Sequence, residues 1–366
     1  MAKAPVVLFL GAGASAPIGF PTTAQFVKNI GLDPYDKKLI ERYMNAARAE
    51  LLKKAYERIQ IKDIEGVYSF LSHHEKSPEI EFMMEQIEVQ PNCVRALRNH
   101  LNNISGLKRS IERIVHTSYD YQPEKHDKKA VEIYRSLFQF LLSDMMGKLS
   151  ELPIVTTNYD PVIDNLLRMP FISDHCDVTD GFRHDERTDQ YIYDDLEFAR
   201  SGEKGKTIIK YYKLHGSVNW AIRKYDDALT KFSGISGFPH PGYESPVIMY
   251  PGDHDIQKRK IFQTLNTHFE SALINASVCI VIGFSFRDYI GINLSFERIM
   301  RNDNKELYVE ISNRAANLQD LFSTDDLFNT FPNRHDYHSG GIQKLEKQLR
   351  KKYLNISRRN KEMKRA

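Results

Sequence analysis

Four short clusters in this 366-residue chain combine reactive side chains with small residues that let a ligand approach the backbone. The first is Gly11, Ala12, Gly13, Ala14, Ser15 and Ala16, in which Gly11, Gly13 and Ala16 satisfy a G-x-G-x-x-G/A pattern. Glycines at those positions let N–H groups approach a diphosphate where a helix begins. The second is "TTNYD", Thr156 to Asp160, whose Asn158 and Asp160 have the types that bond a ribose hydroxyl or an amide. The third is "KLHGS", where His215 precedes Gly216; a histidine there titrates near neutrality and can serve as a general base. The fourth is "IGFSFRD", whose Gly283 and Ser285 would let a nucleotide lie against the chain. Each cluster also has a plainer reading. The glycines suit tight turns, Asn158 or Asp160 suits a helix N-cap, and His215 suits a hydrogen-bonded turn.

A hydride-transferring dehydrogenase would need an apolar strand ending in an acid about 20 residues after the glycines. Asp33 and Asp36 lie in that region, but no apolar run precedes them. That reading fails. The pairs His73/His74 and His335/His338 lack a further ligand pair at metal-like spacing and read as solvated loops, and the run Asp253, His254, Asp255 at a strand end reads as a loop, with a substrate contact as the alternative. Three scattered cysteines, Cys93, Cys176 and Cys279, cannot make a four-cysteine zinc site, and no metal is expected.

The elements that must position the clusters form an alternating pattern. Val6 to Leu10 is apolar on both faces, as in a buried parallel strand. "LPIVT" from Pro153, "KTIIKYYK", "SPVIMY", "SVCIVIG" and "NKELYVEIS" read the same way, and "VNW" begins a strand after the Leu-His-Gly turn. "SDHCDVTDGFRHDERTDQ" reads as loop. Between residues 36 and 149 apolar residues recur at three- and four-residue spacing among charges, the pattern of amphipathic helices. "KIFQTLNTHFESALINA" and "GGIQKLEKQLRKKYL" are further helices, and "ISRRNKEMKRA" reads as a disordered basic tail. Strands alternating with helices give an α/β fold: a Rossmann-like, doubly wound, mostly parallel sheet carrying a large helical insertion. The expected division is a core of residues 1–35 and 150–315, an insertion at 36–149 and a C-terminal helical segment at 316–366. In such sheets ligands bind beyond the carboxyl ends of the strands, where all four clusters fall.

Composition is that of a soluble globular chain: 41% hydrophobic, 27% charged, net charge +3. So small a net charge does not call for nucleic acid, and direct nucleic-acid binding is not expected. No apolar run has the length of a membrane span. The N-terminal apolar stretch ends in Gly-Ala-Gly without a cleavage context, so it reads as a strand, and the odd cysteine count points to a reducing, cytoplasmic compartment.

Taken in order, "GAGAS…GFP", "TTNYD", "LHGS", "PVIMYPGD", "GFSF" and "VEISN" resemble the motifs of the sirtuin-like NAD-consuming family. The resemblance runs from Val6 to Asn313 with unlike segments between. It implies NAD⁺ as substrate, with Gly11, Ala12, Gly13, Ala14 and Ser15 along the diphosphate, and with Pro21 and Thr157 also among the cofactor-binding residues. It places Asn158 and Asp160 beside the nicotinamide ribose and His215 as the catalytic base. Gly283 and Ser285 would lie along the adenosine, and Asn313 on its ribose. Two departures matter. Thr23 and Ala24 stand where sirtuins carry Phe-Arg, and no cysteine follows His215 where sirtuin deacylases carry a zinc module. With the helical insertion, these features resemble the bacterial and archaeal anti-phage defence branch, which cleaves NAD⁺ without a peptide. The expectation is an NAD⁺ glycohydrolase that depletes NAD⁺. It would act as a homo-oligomer with an operon-encoded partner such as an ATPase or helicase, or a nucleic-acid-guided effector. A protein deacylase and a non-catalytic nucleotide sensor are the alternatives.

Overall fold

The computed structural model describes residues 6–21, 105–106, 108–109, 112, 115–116, 118–119, 121–145, 150–203, 206–232, 241–243, 247–249, 260–284, 286, 292–302, 304–311, 331, 333–338 and 341–363. The chain divides into two compact units. One comprises Met1–Phe20, Tyr121–Val247 and Lys260–Ala366, the other Pro21–Asp120 and Ile248–Arg259. In the second unit the described residues between 105 and 118 are helical, and the Tyr119 hydroxyl donates to the Pro21 carbonyl at 3.4 Å.

The first unit is built on strands β1 (Val6–Leu10), β2 (Glu151–Thr156), β3 (Cys176–Thr179), β4 (Phe182–Asp185), β5 (Gln190–Tyr193), β6 (Thr207–Lys213), β7 (Trp220–Ile222), β8 (Leu229–Lys231), β9 (Val278–Ile282), β10 (Glu306–Ile311) and β11 (Arg334–His338). Seven of them make one sheet in the order β11-β10-β9-β1-β2-β6-β3, and every pairing in it is parallel. β1 and β9 are buried along their whole length, which explains their uninterrupted apolar sequences. From β1 the chain builds outward first through β2 and later through β9. The order therefore reverses at β1, and a crevice opens beyond its carboxyl end.

Helices cover both faces. They are α1 (Ala12–Ser15), α2 (Pro123–Gln139), α3 (Val162–Leu166), α4 (Pro170–Ser173), α5 (Lys260–Asn275), α6 (Leu294–Met300) and α7 (Gly341–Met363). On one face the Phe9 ring packs against Phe269 of α5 at 5.5 Å, Phe296 of α6 at 5.2 Å and Phe284 at 4.8 Å, in tilted and edge-on geometries that favour aromatic pairs. On the other lie α2 and α7. Pro123 and Glu124 suit the first turn of α2, and Ala130, Tyr134, Leu137 and Phe138 form its buried stripe.

The remaining four strands make an antiparallel sheet, β4-β5-β8-β7. Here the structure corrects the sequence reading, which took residues 173–190 as loop. One of its strands, β4, and the edge strand β3 of the main sheet come from that region, and β5 starts at its last residue, Gln190. β3 and β4 are each four residues long and carry charged side chains, Asp177 in β3 and Arg183 and Asp185 in β4. The Asp185 carboxylate fastens the β4–β5 turn by accepting from the Arg187 N–H (3.2 Å) and the Thr188 hydroxyl (3.0 Å).

Three further boundaries differ. β11 falls inside the segment read as C-terminal helix and extends the main sheet by a strand. The basic tail read as disordered continues α7 to Met363. α2, read as part of the 36–149 insertion, belongs to the same unit as the sheet; residues 36–104 lie outside the described residues. Of the strand expected over "SPVIMY", the described residues show only a bridged Ile248.

Candidate functional site

The turn after β1 is locked to the turn after β9. The Gly11 N–H donates to the Ile282 carbonyl at 2.9 Å and the Gly13 N–H to the Gly283 carbonyl at 2.8 Å, while the Ala14 N–H bonds back to the Gly11 carbonyl at 2.9 Å. A Cβ on Gly11 would meet the Phe284 Cα at 2.5 Å and the Gly283 carbonyl oxygen at 2.6 Å. Gly283 has φ +65°, and a Cβ there would come within 2.1 Å of the Ala14 nitrogen. Both glycines are therefore required by backbone packed on backbone. The sequence reading set Gly11 along a diphosphate and Gly283 along an adenosine, with tight turns as the plainer alternative. In the structure three of the N–H groups expected along the diphosphate, those of Gly11, Gly13 and Ala14, already have carbonyl partners.

Ser15 and the end of β2 complete the floor. The Thr157 N–H donates to the Leu10 carbonyl at 3.2 Å, and the Asn158 N–H to Thr156 Oγ1 at 3.0 Å. The Asn158 amide nitrogen donates to the Gly11 carbonyl at 2.9 Å and to Ser15 Oγ at 3.1 Å. A carbonyl only accepts, so this contact fixes which end of the amide faces Gly11. The other end, Asn158 Oδ1, is buried with no hydrogen-bond partner among the described residues. Ser15 in turn bonds the Asp160 carboxyl.

Asp160 Oδ1 also accepts the Val162 N–H at 3.0 Å, so the residue holds the start of α3. Burial raises the Asp160 carboxyl above its ordinary range, against the lowering influence of Lys213 and of its bonds with Ser15 and Val162. Lys213 Nζ, itself buried, donates to the Asp160 carbonyl at 2.6 Å and to Asp164 Oδ2 at 2.9 Å. Burial alone would raise Asp164 as well, but Lys213 and Lys231 outweigh it and hold it at about 2. Lys231 of β8 also pairs with Asp180, so this charge network ties the two sheets together.

His215 sits in a turn fastened to the end of β2 on both sides. The Leu214 N–H donates to the Thr156 carbonyl at 2.9 Å. The Ser217 hydroxyl and the Val218 N–H both donate to the Tyr159 carbonyl at 3.1 Å. The His215 ring lies 6.4 Å from the Tyr159 ring and is 7% exposed. The tie between these loops brings the Asn158 and His215 segments to one place, with Ser15 beneath. Ala12, Gly13, Thr157 and Gly283 are the half-exposed positions along the rim. Pro21 belongs to the second unit, and Ser285 and Asn313 lie outside the described residues.

Three neighbours were not singled out from sequence. Lys213 is one. Tyr134 of α2 is another: its hydroxyl donates to the Ala14 carbonyl at 2.7 Å, and burial, then Asp160 and Glu310, push its phenol far up. Glu310, fully buried in β10, is the third. A lysine and a glutamate at inward positions of apolar strands were the available signal. Of the histidine pairs set aside as loop, His335 stacks on Tyr308 at 4.8 Å within β11, and His73 and His74 lie outside the described residues. Among the described residues no group of three His, Cys, Asp or Glu side chains is placed to hold a metal, and no helix is long and apolar enough to cross a membrane.

Residues 153–327 match the family model described as a SIR2-like domain. No curated protein matches the chain. Solved structures similar to it include a Sir2 homolog–NAD complex, 12% identical over 96% of this chain and 92% of that one, with a TM-score of 0.42. Another is a Sir2 homologue variant with ADP-ribose, 14% identical over 96% and 94%, with a TM-score of 0.39.

Proposed function

We propose, taking the SIR2-like domain at residues 153–327 as premise, that this chain hydrolyses the bond between nicotinamide and ribose in NAD⁺. The observation that carries the reading is the Asn158 amide. Its nitrogen is pinned to Gly11 and Ser15, and its buried oxygen has no partner among the described residues, beside the turn that holds His215. A fixed acceptor of that kind suits a water or the nicotinamide carboxamide, each of which brings a donor.

Cleavage breaks the C1′–N bond. The pyridinium nitrogen takes the bonding pair and leaves as neutral nicotinamide, and positive charge develops on the ribose. A water adds its oxygen to C1′ and gives up a proton, and His215 takes it as general base. Asn158 Oδ1 orients the water or the leaving amide. Asp160 holds Ser15, and through it the Asn158 amide, and contributes negative field near the ribose. The products are nicotinamide and ADP-ribose.

The biological role that fits this chemistry is an effector of prokaryotic anti-phage defence that depletes NAD⁺. It would work as a homo-oligomer under an operon-encoded partner, an ATPase or helicase or a nucleic-acid-guided effector.

The test is chromatography of NAD⁺ incubated with the full chain, alone and with products of neighbouring genes. Free nicotinamide and ADP-ribose in equal amounts are expected. His215→Ala and Asn158→Ala should each cut the rate by about 100-fold or more while circular dichroism stays unchanged. Retained turnover removes that residue from the mechanism. Turnover only with an acylated peptide would make the protein a deacylase, and binding without turnover would make it a sensor.

A further inference from the structure

Tyr134 stands in the middle of α2 with its whole side chain buried, and its hydroxyl donates at 2.7 Å to the carbonyl of Ala14, 120 positions earlier in the chain. Its ring packs beside Phe138 at 6.3 Å. A phenylalanine would fill that place as well, and a hydroxyl inside a core is unfavourable unless it is bonded. What the oxygen adds over a bare ring is its hold on one carbonyl of the glycine turn. The local chain leaves room for an outside donor there. α1 is a single turn of four residues, so its end leaves carbonyls without helical partners. A 3₁₀ turn, Ala16–Ile18, follows directly, and the donor three residues beyond Ala14 would be Pro17, which has no N–H.

α1 is thus held at both ends. Its start is fastened to the turn after β9 through the Gly11 and Gly13 N–H groups, at 2.9 Å and 2.8 Å, and its end to α2 through Tyr134. The peptide joining Ala14 to Ser15 is planar, so holding the Ala14 carbonyl also holds the direction in which Ser15 leaves it. Ser15 divides its hydroxyl between two residues of the site. It donates its one proton to the Asp160 carboxyl and accepts the Asn158 amide N–H at 3.1 Å. One line of contacts therefore runs from Tyr134 through Ala14 and Ser15 to Asn158. It ends on Asn158 Oδ1, which is buried with no partner among the described residues. Burial, then Asp160 and Glu310, push the Tyr134 phenol far up, so the donor at the head of this line persists in neutral and alkaline solution.

We propose that the Tyr134 hydroxyl is a positioning group for this site: through Ala14 and Ser15 it sets the direction of Asn158 Oδ1. It touches no substrate, since the residue is fully buried. This rests on the NAD⁺ reading above and deepens it, naming a residue of α2, outside the sequence motifs, on which turnover depends. The direction of Oδ1 matters while the C1′–N bond breaks and little for holding the rest of the dinucleotide. Loss of the hydroxyl should therefore lower kcat and leave ligand affinity in place.

Nicotinamide release by the full chain, with titration calorimetry of ADP-ribose beside it, tests this in the wild type, Tyr134→Phe, Ser15→Ala and the double variant. Tyr134→Phe should keep its circular dichroism and bind ADP-ribose within about 2-fold of the wild type, while kcat falls about 10-fold or more. A hydroxyl that acts through Ser15 has nothing left to act on once Ser15 is alanine, so the double variant should match Ser15→Ala within about 2-fold. A Tyr134→Phe chain with kcat within about 2-fold of the wild type overturns the inference. So do losses that multiply in the double variant, a loss confined to ADP-ribose affinity, and a Tyr134→Phe chain that does not fold; in each case the NAD⁺ reading stands. A wild type that releases no nicotinamide, alone or with the products of neighbouring genes, overturns that reading and this inference together.

Discussion

Both amide protons of Asn158 are committed to Gly11 and Ser15, so its other end, Oδ1, can only accept. Glu310 presents the same one-sidedness three strands away. Such groups lower the stability of the molecule in the absence of ligand, and for Glu310 the pH dependence follows. Burial raises its carboxyl from 4.5 to about 7. Below about pH 4 the folded and unfolded chains both hold the proton. Between its two values only the unfolded chain releases it, so stability falls as pH rises, by about 1.4 kcal/mol per pH unit, and then levels off above the folded value. Glu310→Gln should therefore be roughly 3 kcal/mol more stable than the wild type at about pH 8, with the gain gone at about pH 4. Urea denaturation at the two pH values measures this. An equal gain at both would show that the carboxyl is not perturbed in the folded chain.

At the scale of elements, the Lys213–Asp164 pair joins β6 to α3 and, through the Asp160 carbonyl, to the loop that carries Asn158. Breaking a buried pair on one side leaves a charge without its counterpart. Lys213→Met should cost about 3–5 kcal/mol in urea denaturation, and adding Asp164→Leu should recover much of it. A single-variant cost under about 1 kcal/mol would place the pair with ordinary surface bridges. The elements also show what was legible in advance. β1, β6, β9 and β10 were readable because strands covered on both faces tolerate few polar residues. β3 and β4 were not, because a four-residue strand with one outward face has the composition of a loop. β11, "RHDYH", is polar for the same reason: it is an edge strand. Asn158, Asp160 and His215 could be singled out by their position after strands. The hydroxyl of Ser15 that links Asn158 to Asp160 could not, because that contact joins residues 143 positions apart.

For the whole molecule, the central strand is the first of the described strands, and one of its two neighbours is the ninth of them. β1 pairs with β9 over all five residues of each strand. A chain ended at Ala276 keeps β2 and β6 but loses the strand that covers the other edge of β1. It should show no cooperative unfolding transition and no ADP-ribose binding, because the first glycine turn loses both of its carbonyl partners. A cooperative melt with retained binding would mean that β1 and β2 suffice to shape the crevice.

The interlock of Gly11 and Gly13 with Ile282 and Gly283 also sets a schedule during synthesis. The glycine turn leaves the ribosome about 270 residues ahead of the carbonyls that shape it. A nascent or prematurely terminated polypeptide holds the sequence motif without the geometry. Under the proposed NAD⁺ hydrolysis, that order keeps every unfinished copy inactive.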